Sequence, residues 1–369
     1  MLNIKVLFVI NSLSSGGAEK LMEQMLPLMS KKIKVDLLLL NDENSVYEQT
    51  LTDARVNIIY PKYKKPRNPL NIFFIKKIIL NGDYDVVHGH LFPTSYWLSF
   101  ARKLSRSSKT KYLFTEHNTT NRRRKYKFFK LIDRFIYMQF DLIISCSENV
   151  HKNLMEWLSP KHSDKFVTIN NGVNIDAYYK ALPLKRDEIH SGVQKDTFLI
   201  TMVSRISYPK DQETVINALY HLPTHFKAIF IGEGQNKDKL VDLAKNLNLS
   251  NRVHFLGYRD DVPGILKASD AIVLSTHYEG LSLSSIEGMA SRTPFIASKA
   301  PGLENIVKNH GLLFDIGDKI TLKNHLLNLS QDNHYYDQVA QACYERALDF
   351  SLDKMITRYL ETYEKLIEH

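Results

Sequence analysis

Short, nearly continuous apolar runs alternate with amphipathic segments along the whole chain. Such runs are typical of parallel strands that are buried on both sheet faces, and the segments 17–32, 210–221 and 235–246 have helical spacing. This alternation predicts an α/β fold with doubly wound parallel sheets. The predicted strands are 5–10, 34–40, 56–60, 85–90, 111–117, 142–147, 198–204, 227–232, 253–257, 271–276 and 295–298.

The pattern breaks once, at 172–196, where turn residues and charges follow no clean period. We place the interdomain linker in this stretch, which gives Rossmann-like domains at 1–180 and 190–350. Ligands of open parallel sheets bind beyond the carboxyl ends of the strands. We therefore expect the site in a cleft where the two domains face each other.

The formal net charge of +9 comes entirely from the first half. Residues 1–180 hold 28 Lys and Arg against 16 Asp and Glu, and the densest part, 101–130, has Glu116 as its only acid. Such a patch attracts lipid head groups, pyrophosphates or nucleic acid. The chain shows no secretion signal and no apolar stretch near the ~20 residues of a bilayer span. Two distant cysteines, Cys146 and Cys343, suit a reducing compartment, so we expect a cytoplasmic protein.

Two strand-to-helix turns carry groups that suit phosphate. Gly16 and Gly17 follow the first strand and open a helix, where free backbone amides attract anions, although a plain tight turn gives the same pattern. Arg205 and Lys210 follow the first strand of the second half. A planar guanidinium and a point charge at one turn can both reach one pyrophosphate, whereas a solvated loop is the alternative.

Glu279 and Glu287 flank a short segment that leads from the strand 271–276 into a helix. Free amides at that helix start can bind a phosphate, and carboxylates beside a phosphate are favourable when sugar hydroxyls donate to them. The residues between the two acids that we assign to donor binding are Gly280, Leu281, Ser282 and Leu283.

These motifs together resemble glycosyltransferase family 4, a retaining family of GT-B architecture (glycosyl transferases group 1). The resemblance covers 5–365 and includes GGAE, the Arg205 and Lys210 pair, IGEGQNKDKL, VHFLGYRDDV and the two glutamates eight residues apart. It implies two Rossmann-like domains, a nucleotide-sugar donor in the second, an acceptor in the first, and a C-terminal helix, 351–369, that returns to the first domain.

The resemblance also implies residue roles. Arg205 and Lys210 would bind the donor diphosphate and stabilise the leaving nucleotide. Glu287 would bind the ribose hydroxyls, and Glu279 would contact hydroxyls of the transferred sugar. Gly16 and Gly17 would cover the phosphates, and Gly234 and Tyr258 would lie near the base. His117 resembles the family histidine that reaches the reacting centre, so the expected catalytic set is Glu279, His117, Arg205 and Lys210.

The first half, which is expected to bind the acceptor, contains residues whose roles have more than one interpretation. His90 is a candidate acceptor contact, although a lone histidine is usually structural. The segment 121–140 has a cationic start and apolar residues at helical spacing, so Arg122, Arg123 and Arg124 are expected to meet an anionic membrane surface or a lipid-linked acceptor. Ordinary core packing with solvated arginines is the alternative.

These observations favour a retaining glycosyltransferase that uses a nucleotide sugar, with UDP preferred over GDP, and a saccharide acceptor on a lipid. No metal or other cofactor is expected, because paired cations can stabilise the leaving diphosphate. A sugar-nucleotide epimerase or hydrolase on the same scaffold is one alternative. A basic nucleic-acid-binding protein is another, but the complete charged set argues against nucleic acid as a partner.

Overall fold

The structure is a computed structural model that describes residues 3–14, 16–105, 109–118, 122–159, 163–280 and 282–368. The chain divides into two compact units. The first unit is Met1–Gly172 together with Leu352–His369, and the second unit is Val173–Ser351.

The first unit is built on a parallel sheet with the strand order β3-β2-β1-β4-β5-β6-β7. Its strands are Lys5–Ile10 (β1), Lys34–Leu39 (β2), Asn57–Ile59 (β3), Val86–His90 (β4), Lys111–Glu116 (β5), Leu142–Ser145 (β6) and Phe166–Thr168 (β7). Its helices before the second unit are Gly17–Met29 (α1), Glu48–Asp53 (α2), Asn71–Gly82 (α3), Thr94–Ser105 (α4), Phe128–Tyr137 (α5) and Glu148–Leu158 (α6), with a short 3₁₀ turn at Arg122–Lys125.

The second unit has a parallel sheet with the order β10-β9-β8-β11-β12-β13. Its strands are Phe198–Val203 (β8), Phe226–Ile231 (β9), Val253–Gly257 (β10), Ala271–Leu274 (β11), Phe295–Ser298 (β12) and Leu312–Phe314 (β13). Its helices are Ile175–Tyr179 (α7), Arg186–Ile189 (α8), Gln212–Tyr220 (α9), Lys237–Asn246 (α10), Val262–Ala268 (α11), Leu283–Ala290 (α12), Glu304–Val307 (α13), Lys319–Gln331 (α14) and Asn333–Ala347 (α15). A 3₁₀ turn at Leu348–Phe350 precedes the last helix of the chain, Leu352–Glu368 (α16).

The continuous apolar runs are explained by burial of both faces of each sheet. In β1, Phe8 and Ile10 enter the core on one face, while Leu7 and Val9 enter the core on the other. Successive side chains of a strand point to opposite faces, so a strand covered on both faces needs apolar residues at every position. The parallel α/β fold predicted from these runs is confirmed.

Helix α16 completes the first unit although it follows the second unit in sequence. Its Tyr359 and Tyr363 are fully buried in the core that also holds Phe8. The Tyr363 hydroxyl lies 2.7 Å from His88 Nδ1, and His88 Nε2 lies 2.7 Å from Thr115 Oγ1 on β5. Buried polar groups need such partners, so this hydrogen-bonded chain fixes α16 against the sheet.

The boundary between the units differs from the linker that we placed at 172–196. The second unit begins at Val173, and Val173, Ile175 and Tyr178 pack into its main core. Ile189 and Val193 lie in a smaller apolar cluster of the same unit. These residues are too widely spaced for a clear period, which is why the segment resembled a linker in the sequence.

Two further observations complete the fold. Cys146 and Cys343 are free and buried, so both pack as small side chains inside the fold. No helix in the described part of the chain is both long enough and apolar enough to cross a membrane.

Candidate active site

The strand order of the second unit defines where a ligand can enter. The chain leaves β8 toward β9 on one side, and β11 occupies the other side of β8. Loops that leave neighbouring strands in opposite directions open a crevice at the carboxyl edge of the sheet. The predicted donor residues Arg205, Lys210 and Glu279 follow β8 and β11, so they belong to the two loops that flank this point.

These two loops are joined by backbone and side-chain hydrogen bonds. The Asp211 amide donates to Ser275 O at 3.0 Å, and the Ser275 hydroxyl donates to Asp211 Oδ2 at 2.8 Å. The His277 amide donates to Pro209 O at 3.0 Å. Asp211 also caps helix α9, because its carboxylate accepts from the Thr214 amide at 3.2 Å. The loop after β8 therefore has a fixed register against the loop after β11.

This register brings Lys210 and Glu279 together as an ion pair. Their side chains are 16% and 12% exposed, so the pair is largely shielded from water. The Glu279 backbone amide donates to Pro301 O at 2.9 Å, which anchors the backbone of Glu279 to the loop after β12. An ammonium has three donors and a carboxylate has two oxygens, so each partner keeps capacity for a ligand.

Arg205 extends from the adjacent turn and is exposed to solvent. Its position depends on close contact with the loop after β9, where the Ile206 amide donates to Glu233 O at 2.9 Å. A Cβ on Gly234 would lie 2.0 Å from Ile206 O, so only glycine allows the two backbones to approach in this way. Gly234, assigned from sequence to the base, thus shapes the turn that carries Arg205.

Tyr258 lies at the same edge of the sheet. Gly257 ends β10 with φ +68°, and its carbonyl accepts from the Gly232 amide at 2.8 Å. Tyr258 follows directly and its ring is exposed. Tyr258 thus follows a residue whose backbone is bonded to the loop after β9, and the predicted proximity of its ring to the nucleotide base stays a prediction.

Glu287 lies on α12, within the same unit as the ion pair. The buried Tyr178 on α7 is hydrogen-bonded to this carboxylate, and burial together with the negative charge of Glu287 raises the pKa of the tyrosine hydroxyl. The sequence reasoning missed Tyr178 because it lies in the segment that resembled a linker. A phenolic donor helps to orient the Glu287 carboxylate, and the predicted contact of Glu287 with the ribose stays a prediction.

The segment between the two glutamates is only partly described. Ser282 is buried and its hydroxyl lies 3.2 Å from the Ser284 hydroxyl. Leu283 begins α12 and packs against the core of the second unit, while Gly280 is partly exposed. Leu281 lies outside the described residues. The contribution of these amides to phosphate binding stays a prediction.

The described residues include no group of three or more His, Cys, Asp or Glu side chains placed to hold a metal ion. The charged groups gathered at the edge of the second sheet are instead cations and carboxylates in close proximity. Such a set can bind a diphosphate and hydroxyls at once.

In the first unit, His90 is fully buried, and its Nδ1 lies 3.0 Å from Nε2 of His117. In this structure the His90 ring is shielded from solvent, and its predicted contact with the acceptor stays a prediction. His117 is partly exposed at the end of β5. Burial lowers the pKa of His117 to about 4 and that of His90 well below its usual range. Both rings are thus neutral near pH 7, and His90 orients His117.

Arg123 and Arg124 are also placed differently from the prediction. Their side chains are 16% and 10% exposed, and they pair with the buried carboxylates of Asp133 and Glu116 at 3.3 and 3.5 Å. These ion pairs hold both guanidinium groups largely inside the fold, and their predicted contact with a membrane surface or a lipid-linked acceptor stays a prediction. The side chain of Arg122 lies outside the described part of the chain.

The predicted glycine turn is found at the start of α1. Gly16 precedes the helix and Gly17 is its first residue. A Cβ on Gly16 would lie 2.2 Å from a Glu19 carboxylate oxygen, whereas a Cβ on Gly17 would meet nothing within 4 Å. Glu19 therefore covers Gly16, and the role of this turn toward phosphate stays a prediction.

Comparison with known proteins decides the family. A sequence model described as Glycosyltransferase Family 4 matches residues 15–177, and one described as Glycosyl transferases group 1 matches residues 185–346. The two matches lie in the first and second units and together span most of the chain. The chain belongs to glycosyltransferase family 4.

Relatives of this family 4 glycosyltransferase are similar over most of their length. A putative glycosyltransferase EpsD of Bacillus subtilis is 24% identical over 84% of both chains. An N-acetylgalactosaminyltransferase of Campylobacter jejuni, named for a diphospho-undecaprenol substrate, is 28% identical over 76% of this chain and 77% of its own. A galactosyltransferase of Escherichia coli, named for UDP-Gal and a GlcNAc-diphosphoundecaprenol, is 24% identical over 80% and 79%.

Solved structures share the fold. Anabaena Alr3699/HepE, determined in complex with UDP-glucose, has a TM-score of 0.80 at 20% identity over 98% of this chain and 100% of its own. A glycosyltransferase from Rickettsia africae has a TM-score of 0.81 at 22% identity over the full length of both chains. At these identities the similarity supports the fold alone, and it confirms the GT-B class of two Rossmann-like units.

The Lys210–Glu279 pair generates a stability prediction. Lys210→Met and Glu279→Gln should each lower the free energy of unfolding by ~1–3 kcal/mol, because each leaves the other charge shielded from water without its opposite charge. The double variant should lose less than the sum of the two, since neither partner is then left alone. Urea unfolding of all four proteins measures this coupling, and strictly additive losses would contradict the ion pair.

The buried histidines generate a pH prediction. Burial lowers the pKa of His88 to about 3 and that of His117 to about 4, so the unfolded chain binds more protons than the folded chain below about pH 6.5. The free energy of unfolding should therefore fall as the pH drops from 6.5 toward 4.5. Burial also lowers the pKa of His90, so in His90→Phe the fall should be shallower, by at most ~1.4 kcal/mol per pH unit, the limit for one proton.

Urea unfolding at a series of pH values measures both slopes. The comparison is insensitive to any constant destabilisation by the substitution, since only the dependence on pH is used. Identical slopes in the two proteins would show that His90 takes up its proton equally in the folded and unfolded chains.

Proposed function

We propose that this glycosyltransferase is a retaining enzyme that transfers a sugar from a UDP-sugar to a saccharide acceptor carried on a lipid diphosphate. The observation that carries the proposal is the shielded Lys210–Glu279 pair at the strand-order reversal of the second unit, with Arg205 exposed on the same loop as Lys210. This arrangement offers fixed cations and a fixed carboxylate to one ligand.

The two cations would bind the donor diphosphate. The Lys210 ammonium uses one donor on Glu279 and keeps two for phosphate oxygens, while the exposed Arg205 guanidinium can bind a phosphate with two parallel hydrogen bonds. When the glycosidic bond breaks, negative charge grows on the diphosphate. Cations already held in place by the fold stabilise that charge without reorganisation, and we propose no metal or other cofactor.

The carboxylates would bind hydroxyls. Glu279 would present lone pairs to the hydroxyls of the transferred sugar. Glu287, whose carboxylate is hydrogen-bonded to Tyr178, would bind the ribose. A carboxylate beside a diphosphate is costly unless it is neutralised, and Lys210 supplies that neutralisation for Glu279. The ion pair thus allows phosphate and sugar recognition at one place. UDP as the nucleotide is supported by the Anabaena structure, which holds UDP-glucose.

Retention of the anomeric configuration is supported by family membership. The catalytic set remains Glu279, His117, Arg205 and Lys210, and His117 would act as a neutral hydrogen-bonding group because burial lowers its pKa to about 4. The acceptor proposal is supported by the Campylobacter and Escherichia relatives, whose names specify undecaprenol diphosphate substrates. Such acceptors serve polysaccharide or lipid-linked glycan synthesis, and we propose the cytoplasmic face of the cell membrane as the location.

Helix α5 suits contact with that membrane. Phe128, Leu131 and Phe135 on this helix are exposed, and Leu131 is 72% exposed. Between residues 100 and 140 the acids are Glu116 and Asp133, and both are buried, whereas Lys103, Lys125 and Lys127 belong to the same region. An exposed apolar face with lysines and no exposed acid complements an anionic bilayer. We propose this face, in place of Arg123 and Arg124, as the membrane contact.

The donor assignment is tested by a thermal-shift screen of UDP- and GDP-sugars. A UDP-sugar should stabilise the wild-type protein, and Lys210→Ala and Glu279→Ala should each abolish most of that shift. Lys237→Ala, which removes an exposed lysine from the same unit, serves as the control and should respond like the wild type. Unchanged stabilisation in both site variants would refute the site.

Retention of the anomeric configuration is tested by NMR of the product. When the donor carries an α-linked sugar, the product should show an α linkage.

The membrane assignment is tested by vesicle sedimentation with phosphatidylglycerol. Phe128→Ser/Leu131→Ser should weaken binding about tenfold or more, because each side chain would lose apolar burial in the bilayer worth ~1.5–3 kcal/mol. Leu182→Ser, at an 84% exposed leucine of the second unit, is the matched control. Equal binding by all three proteins would show that α5 does not contact the bilayer.

A further inference from the structure

A cavity of about 180 Å³ lies inside the first unit, at the carboxyl ends of its central strands. Its wall includes Phe92 and Ser95, which follow β4, and Phe114 and Glu116 of β5. Arg67 and Arg123 complete the charged part of the lining. A single water needs only ~10–15 Å³ of such volume, so the cavity has room for a polyatomic group.

Two buried polar atoms on this wall have no hydrogen-bond partner among the described residues. Ser95 Oγ is one, and Ser95 is 1% exposed. Arg123 Nη1 is the other, since its 3.3 Å contact with Asp133 lacks hydrogen-bond geometry. Buried donors without partners are uncommon in folded proteins and indicate a missing acceptor. Both atoms belong to residues that line the same cavity.

The acids near the cavity are already neutralised. Glu116 accepts from the Tyr137 hydroxyl at 2.5 Å and from Arg124 Nη2 at 3.5 Å. Asp133 accepts from the Tyr96 hydroxyl at 2.6 Å and from the Trp157 indole at 3.0 Å. Protein donors therefore satisfy these carboxylates, and the polar groups that face the cavity are mainly hydrogen-bond donors.

A third donor comes from Arg67, at the end of the cationic stretch Lys62–Arg67. This stretch is anchored, because the Trp97 indole donates to Pro66 O at 2.7 Å and the buried Asn71 amide donates to Lys65 O at 3.0 Å. The Arg67 side chain is exposed and also lines the cavity. The anchored loop thus holds a guanidinium at the solvent side of a pocket whose inner donors are Arg123 and Ser95.

We propose that this cavity binds a phosphoryl group of the acceptor, as part of a lipid diphosphate. Two guanidinium groups and a hydroxyl, all donors, match the acceptor oxygens of a phosphate, and Arg suits phosphate because of its planar fork. The Phe92 and Phe114 rings suit the apolar portion next to the phosphate. The inference rests on the proposed function, because that function supplies the lipid diphosphate acceptor. The cavity is a subsite for this acceptor and not for the donor.

The test uses farnesyl diphosphate and inorganic pyrophosphate as probes, with calorimetry on the full chain. Ser95→Ala and Arg67→Gln should each weaken binding of farnesyl diphosphate about tenfold, the usual effect of losing a hydrogen bond to a charged group. Ser95→Ala should not lower the melting temperature, since Ser95 Oγ has no partner to lose within the described chain. Affinity for UDP should stay unchanged in both variants.

Two matched controls separate the pocket from general effects. Ser99→Ala removes another buried, unpartnered hydroxyl from helix α4 outside the cavity lining, and Lys62→Gln removes one charge from the loop that carries Arg67. Both should bind farnesyl diphosphate like the wild type. If Ser95→Ala and Arg67→Gln also bind it like the wild type, the cavity does not hold a phosphoryl group and the proposal fails.

The remaining outcomes distinguish the ligand source. Pyrophosphate that binds as tightly as farnesyl diphosphate, with the same variant losses, would indicate a site for free phosphate and overturn the acceptor assignment. Loss of phosphatidylglycerol vesicle binding in the same variants would assign the pocket to a head group, also against the proposal. If the variants show none of the predicted losses of farnesyl diphosphate binding but UDP-sugars still bind, only the cavity proposal is refuted and the donor function remains supported. If no nucleotide sugar binds, the proposed donor function itself is refuted.

Discussion

The donor site of the second unit depends on the hydrogen bonds that join the loops after β8 and β11. Asp211 is the centre of this junction, because its amide and carboxylate both bind Ser275 while the same carboxylate caps α9. The two loops leave neighbouring strands and would otherwise diverge. Their junction places Lys210 beside Glu279, so a backbone register sets the position of the charges proposed to bind the donor.

Compensation of charge is the second constraint on this protein. Glu279 is paired with Lys210 in the second unit, and Glu116 and Asp133 are paired with arginines in the first. An arginine that neutralises a buried carboxylate adds little charge to the surface, although its remaining N–H groups can still donate to a ligand. The basic first half therefore does not act as one uniform patch: some arginines are internal, whereas the lysines near α5 remain at the surface.

Much of the fold could be predicted because both sheet faces are buried, so nearly every strand residue is apolar. The strands that were missed, β7 and β13, have three residues each and lie at sheet edges. The edge strand β3 is equally short, but it was predicted because it lies within the longer run VNIIY at 56–60. Lys210 and Glu279 were found through motif spacing. Tyr178, Asp211 and the Ser95 cavity were not, because their roles depend on contacts between segments far apart in sequence. The N-cap pattern Asp211–Thr214 was a detectable local signal for Asp211. The burial of His90 was also not predicted, because burial cannot be read from a lone histidine.

The most direct test of the central claim is the affinity of UDP, measured by calorimetry, for Asp211→Ala and Asp318→Ala. Both aspartates cap helices of the second unit, but only Asp211 also joins the two loops. We predict that Asp211→Ala weakens UDP binding about tenfold, the equivalent of one or two lost hydrogen bonds, while Asp318→Ala binds UDP as the wild type does. Equal affinities in the wild type and both variants would contradict the account.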